Sequence, residues 1–432
     1  MTPDRPVTRR AAARGALVGT AALATVGLAG GDVCERWAQV PLYSRTVALV
    51  SATERVLVRP DSDLVRRGTR IGRLAIDVNQ LVAAEDSVRL AVRDAADRTG
   101  LGPGRTDLLH SAALDLHVLS FGLSAPVAGW SRNWRFVWPR DAAHAAVAFA
   151  RLGLLERAAG IVRELARLCG DDGWFEARYR PGTRTSPDDR ERQLDGTGWL
   201  LWGLDEVTRA GATGLLEDPD VQRAAVRATD LLLHVSANDG HLPPPSPDYW
   251  ERHERRLTIG TAALTRVGLE RAEHVLSRTD PRRAATAGDR AELVAAGIRR
   301  VFASSGYGRY PGDDLPDAGM LFLLPPYTRE IDPDVADHVA GIGRTASRPA
   351  GGVAPGAGWK RDGVSWTPQT AMLARARLET GDAAAADRLL DWLSTHRTEA
   401  GSFPEKVLAD GRPAAVAPLA WTAALVAGAV LA

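Results

Sequence analysis

The sequence predicts an all-α fold, an (α/α)6 toroid of helical hairpins, on three observations. From Asp107 onward, short stretches with apolar residues at helical spacing alternate with Gly- and Pro-rich loops, and no strand run of comparable quality lies among them. Twelve helices shared over residues 106–432 would take about 27 residues each with their loops, an ordinary helical-hairpin length. The final stretch, Pro418 to Ala432, is charge-free and apolar on every side. Such a helix is normally buried in a large core, and here it would belong to the inner ring.

The elements follow in order. Residues 1–34 read as an export signal or membrane anchor. Arg9, Arg10 and Arg14 precede a charge-free run from Gly15 to Gly31, a basic region followed by an apolar one. Thr8-Arg9-Arg10 also fits a twin-arginine signal. This places the protein outside the cytoplasm, exported or tethered to the membrane through Gly15–Gly31. Residues 35–105 hold three short strand-like runs, VALV, RVLV and RLAIDV, and a helical stretch, Asp86–Arg98, with no visible chemistry. Residues 106–432 carry the helices. Ile161, Val162, Leu165, Leu168 and Cys169 share one face, as do Leu293, Val294, Ile298, Val301 and Phe302. The other helices are expected at 107–120, 141–152, 195–209, 221–235, 259–275, 334–346, 367–379, 384–396 and 418–431. Their Ala content favours helix and close helix–helix approach.

Composition narrows the function. With 45% apolar and 25% charged residues the chain is an ordinary globular protein, and a net charge of +1 gives no reason to expect a nucleic-acid partner. The cations are 52 Arg and only two Lys, Lys360 and Lys406. Two cysteines, Cys34 and Cys169, cannot build a disulfide framework or a four-thiolate metal site. There is no GxGxxG, P-loop, HExxH or GxSxG. No cofactor and no metal is expected.

Aromatic and charged residues gather in the loops before the expected helices. Trp130, Trp134 and Trp138 close on Trp138-Pro139-Arg140-Asp141. Then come Asp171-Asp172-Gly173-Trp174-Phe175, Gln193-Leu194-Asp195-Gly196, Asp248-Tyr249-Trp250-Glu251, Gly358-Trp359-Lys360-Arg361-Asp362-Gly363 and Ser402-Phe403-Pro404-Glu405-Lys406. In a toroid these loops converge on one end. Aromatic faces stack on sugar rings, Asp and Arg read hydroxyls through charge-assisted hydrogen bonds, and two facing carboxylates can cleave an acetal. Taken singly, a Trp in a helical protein is more often core, and a loop Glu is more often solvated. Their order and repetition carry the reading.

In that order the motifs resemble glycoside hydrolase family 15, the glucoamylase-like and trehalase-like inverting enzymes, over roughly 106–432. Arg132-Asn133-Trp134-Arg135-Phe136-Val137-Trp138-Pro139-Arg140-Asp141-Ala142 resembles the family's first long loop. Arg192-Gln193-Leu194-Asp195-Gly196 is similar to a helix start of the family, and Asp248-Tyr249-Trp250-Glu251-Arg252 to the segment bearing its general acid. Asp317-Ala318 with Leu321-Phe322-Leu323-Leu324-Pro325 resembles another family loop, and Phe403-Pro404-Glu405 with Pro418-Leu419-Ala420-Trp421 resembles the motif of its general base. The resemblance implies an exo-acting hydrolase that releases a terminal glucose from an α-glucoside, with a carbohydrate as its partner. Glu251 would be the general acid and Glu405 the general base. Trp138, Arg140 and Asp141 would hold the terminal sugar, and Trp250, Trp359 and Lys360 would line the next positions. The sequence departs from the family at Lys406, where Gln is common, and at TPQTAMLARARL, which lacks the usual aromatics. A large N-terminal β-sandwich has no room in residues 35–105. The alternative is a sugar-binding protein that kept the pocket and lost turnover.

Overall fold

The structure, a computed structural model, describes residues 40–432. The run Gly15–Gly31 and Cys34 lie outside the described residues. Twelve α-helices are present among them: α1 (Val78–Thr99), α2 (Pro103–Ser120), α3 (Pro139–Arg151), α4 (Leu155–Leu168), α5 (Asp195–Arg209), α6 (Pro219–Val235), α7 (Ile259–Leu276), α8 (Pro281–Phe302), α9 (Pro333–Thr345), α10 (Thr367–Glu379), α11 (Ala383–Thr395) and α12 (Ala420–Val430). A closed inner ring runs α3–α5–α7, then the 3-10 helix Ala318–Leu323, then α10–α12 and back to α3. The outer elements α2, α4, α6, α8, α9 and α11 each precede an inner one in the chain. This is the all-α toroid the sequence predicts.

Three details differ from expectation. The fourth inner position holds only the six-residue 3-10 helix Ala318–Leu323, so residues 106–432 contribute eleven α-helices and not twelve. The twelfth is α1, which lies before this region and packs on α2. It covers the expected 86–98 stretch and begins eight residues earlier, at Val78. RLAIDV is not a strand, while the other two runs form the antiparallel hairpin β1 (Thr46–Leu49) and β2 (Arg55–Val58). The remaining strands are a three-stranded patch of two-residue elements, β3 (Ser365–Trp366), β4 (Lys406–Val407) and β5 (Pro413–Ala414). Helix α12 is buried nearly all round, as its composition requires of an inner-ring helix.

The helix starts reveal how the ring is polarised. Outer helices α6, α8, α9 and α11 are capped by Asp218, Asp280, Asp332 and Asp382, whose side chains accept first-turn N–H groups. Inner helices α3, α5, α10 and α12 begin at Trp138, Leu194, Trp366 and Leu419 with no side-chain cap. Their starts lie together. Arg140 of α3 stacks on Trp421 of α12, with its guanidinium carbon 4.1 Å from the ring centroid. Thr367 of α10 bonds Thr422 of α12 at 2.8 Å. A Cβ on Gly319, at the start of the 3-10 helix, would sit 3.0 Å from Gly260 of α7. One end of the toroid is therefore built from helix N-termini and the loops that feed them.

The α5–α7 crossing depends on glycine. A Cβ at Gly198 would lie 2.4 Å from the carbonyl oxygen of Leu264, a backbone atom that cannot move aside alone. Gly160, in the middle of α4, has nothing within 4 Å of such a Cβ. Chemical denaturation is expected to show Gly198→Ala destabilised by about 1–3 kcal/mol through overpacking. Gly160→Ala should gain up to ~1 kcal/mol from helix propensity.

Candidate active site

At the floor of this end lies the pair Arg140–Asp141. Asp141 is 0% exposed in the first turn of α3, where the helix N-terminus favours negative charge. Its Oδ2 accepts from Arg140 Nε at 3.1 Å and Nη2 at 2.9 Å. Its Oδ1 is buried and has no hydrogen-bond partner among the described residues. The Trp421 ring against Arg140 adds a cation–π contact that fixes the guanidinium plane.

Glu251 comes to this pair from the loop before α7. Its backbone is left-handed, φ 56°, a conformation that costs energy for a residue with a side chain and is concentrated at functional sites. The preceding turn is set by Asp248, whose Oδ1 accepts from the Trp250 backbone at 2.9 Å. Glu251 Oε1 lies 3.5 Å from Arg140 Nη1, and Oε2 accepts from Arg190 Nη1 at 3.1 Å and Gln193 Nε2 at 3.2 Å. The Trp138 indole N–H approaches it without closing a hydrogen bond. Burial pushes the Glu251 carboxyl up, against the opposing pull of Arg140, Arg190 and Trp138.

Glu405 reaches the site from the opposite end of the sequence. Its backbone N–H donates to Val416 at 2.8 Å, and its carbonyl accepts from Thr367. Its side chain is 12% exposed, and Lys406 Nζ lies 3.4 Å from Oε2. Oε2 itself is buried and makes no hydrogen bond. Burial pushes the Asp141 carboxyl up against the pull of Arg140, and the Glu405 charge adds to the push.

The tryptophans form one wall. Trp250 and Trp359 meet edge to face at 4.5 Å between centroids, and Trp359 and Trp366 at 5.4 Å. Arg309 lies 3.7 Å over Trp250, and the two lysines of the chain decorate the outer part, Lys406 at 4.3 Å from the Trp366 ring and Lys360 at 5.7 Å from that of Trp359. Indole N–H groups of Trp138, Trp250, Trp359, Trp366 and Trp421 are buried with no partner among the described residues. Five uncommitted donors beside acceptors at Asp141 and Glu405 suit a ligand dense in hydroxyls. No group of His, Cys, Asp and Glu able to hold a metal occurs among the described residues.

Every residue singled out in the sequence, Trp138, Arg140, Asp141, Trp250, Glu251, Trp359, Lys360 and Glu405, falls at this end. Lys360 sits at its exposed rim. Sequence reasoning passed over a second tier. Asp195, at the start of α5, is pushed up to about 7 by burial, with Glu251 and Asp248 adding to it and Arg140 opposing. Asp317 accepts from Tyr249 at 2.6 Å and is pushed up to about 6 by burial. Arg309 bonds Asp248 at 3.0 Å and also Asp317 and Glu254. Asp195, Asp248 and Asp317 stood inside recognised motifs, but nothing in the sequence separates Arg309 or Arg190 from fifty other arginines.

No protein-family model matches the chain, and neither does any curated protein. Solved structures do. A glycosidase superposes with a TM-score of 0.62 at 18% identity, covering 83% of this chain and 98% of its own. A bacterial glucoamylase complexed with acarbose gives 0.62 at 17%, covering 75% of this chain and 55% of its own. A metal-independent α-mannosidase from Streptococcus pneumoniae gives 0.56 at 14%, covering 80% and 97%. At these identities the likeness shows the toroid fold.

Asp195 supplies a test of the floor's electrostatics. Drawn up to about 7 when folded, it keeps a proton at pH values where the unfolded chain has already shed it. Its contribution to stability is therefore full below about pH 4 and is lost as pH rises toward 7, at about 1.4 kcal/mol per unit. Urea denaturation at pH 4.5 and 7 should show this fall in the wild type and a shallower one in Asp195→Asn.

Proposed function

We propose that the protein is an exo-acting, inverting glycoside hydrolase of the family 15 type, releasing a terminal glucose from an α-glucoside. The observation that carries the reading is that Glu251 bonds Arg140 while Thr367 ties the Glu405 loop to the start of α12, whose Trp421 stacks on the same Arg140, beside a tryptophan wall. The fold is shared with a glycosidase, of which a variant was solved in complex with glucose, and with a glucoamylase.

In this reading Arg140 and Asp141 hold the hydroxyls of the terminal ring, Asp141 through its unpaired Oδ1, and Trp138 and Trp421 pack around it. Trp250, Trp359 and Lys360 line the position beyond. Glu251, whose carboxyl is raised by burial, protonates the leaving oxygen. Glu405 accepts a proton from the water that attacks the anomeric carbon from the other face. The single-displacement geometry calls for carboxyl groups about 6.5–9.5 Å apart. The protein acts outside the cytoplasm, directed there by Thr8-Arg9-Arg10 and the run Gly15–Gly31.

A second reading, sugar binding without turnover, draws on the Arg140–Glu251–Arg190 clamp, which favours a charged Glu251 and so opposes proton donation. Mutation separates the two. General acid–base catalysis contributes about 10²–10⁴-fold. Glu251→Gln and Glu405→Gln should each lower kcat by that order on the best of a panel of α-linked disaccharides, with sugar affinity changed far less. Azide should partly restore the Glu405 variant and yield a glycosyl azide of inverted configuration. Wild-type turnover in both variants would refute the assignment, and binding with no turnover by the wild type would establish the second reading.

The clamp also predicts a pH response. Arg190 pulls the Glu251 carboxyl down against burial, so Arg190→Met should raise it further. Because the acid works protonated, the alkaline limb of kcat/KM should then move to higher pH. An unmoved or lowered limb would remove Glu251 from the acid role.

A further inference from the structure

We infer that residues 41–70, which showed no chemistry in sequence, brace the loop 398–418 and position Glu405. The inference rests on the assignment of Glu405 as the base, and its observation is the hydrogen bonding between the two segments.

The contacts grip the loop on both arms of its hairpin. On the returning arm, Tyr43 N–H donates to Ala415 at 2.9 Å, Ala415 N–H donates to Pro41 at 3.2 Å, and Ser44 Oγ donates to Ala417 at 2.8 Å. On the outgoing arm, Thr46 Oγ1 and Ser402 Oγ share a hydrogen bond of 2.7 Å, and Thr398 donates to the Arg45 carbonyl. Val416, which receives the Glu405 N–H, lies between the two residues held on the returning arm.

Beneath the outgoing arm is a buried ion pair. Asp115 of α2 accepts from Arg70 Nε at 2.9 Å and lies 2.7 Å from Arg70 Nη2. The same carboxylate accepts from Ser402 Oγ at 2.7 Å and from the Phe403 backbone at 2.8 Å, two residues before Glu405. Arg70 Nη1 also reaches the Ala400 carbonyl at 3.2 Å. All of these side chains are buried, as are those of Ser44 and Thr46. On the far side, Leu419 N–H donates to the Phe403 carbonyl and Thr367 bonds the Glu405 carbonyl. The base is thus held between α10 on one side and the β1 segment with Asp115 on the other. A carboxylate that must deprotonate a water in line with a bond gains from such a frame, because displacements of about 1 Å cost on the order of a hundredfold in rate.

Ser44 and Thr46 are positioning residues in this account, and they can be altered without breaking the buried ion pair. The double variant Ser44→Ala/Thr46→Val is expected to lower kcat about ten- to hundredfold with KM changed less than twofold. Thr46→Ser, which keeps the hydroxyl, should retain wild-type kcat, as should the control Thr395→Ala on the exposed face of α11. A glucosyl fluoride needs a base and no acid, because fluoride leaves unprotonated. The double variant should lose as much on it as on the disaccharide, and Glu251→Gln should lose little. A double variant with wild-type kcat, or with its loss confined to substrates that need the acid, overturns the brace.

Hydrogen exchange separates this proposal from the hydrolase reading. If the wild type hydrolyses no glycoside, that reading fails. The brace still predicts that the Phe403 and Glu405 amides exchange at least about tenfold faster in the double variant, with those of α5 and α7 unchanged. Unaltered exchange at Phe403 and Glu405 overturns it.

Discussion

The buried Arg140–Asp141 pair is the interaction on which this end of the molecule depends. It ties the start of α3 to α12 through Trp421, and it faces Glu251. A buried charge with its partner removed costs about 3–5 kcal/mol, so neither residue can be given up alone. The pair is sequence-adjacent, which makes it independent of long-range assembly. What the fold adds is burial, and burial turns two ordinary side chains into a fixed feature around which the loops are arranged.

Around that feature the floor collects more carboxyls than cations. Asp141, Asp195, Asp248, Asp317 and Glu251 stand against Arg140, Arg190 and Arg309. Two physical effects make this tolerable. The inner helices α3, α5, α10 and α12 present N-terminal ends without a side-chain cap here, and such ends favour negative charge. Burial also drives several carboxyls toward their neutral forms, Asp195 and Asp317 most clearly. A site of this kind holds carboxyls close to their neutral forms beside paired charges.

Much of this was legible in the sequence. Helical spacing located the eleven α-helices α2–α12 and most of α1, because amphipathic helices and the all-apolar α12 both leave a pattern. The fourth inner position escaped, since Ala318–Leu323 is too short to show a period. The candidate residues were picked out by the clustering of Trp, Asp and Glu before helix starts, and the fold brings them to one end. Arg309 and Arg190 were hidden by a chain in which Arg is almost the sole cation. The bracing by Ser44, Thr46 and Arg70 left no local signature, because its partners are more than 300 residues away.

The first described segment bonds the loop that precedes the last helix, so the chain's early hairpin and its last loop meet beside Glu405. The central claim is that Glu251 and Glu405 cleave a glucosidic bond by single displacement. Proton NMR of the first glucose released by the wild type from an α-linked disaccharide tests it directly. The account predicts that the β-anomer appears first and mutarotates afterwards. Initial release of α-glucose would contradict it.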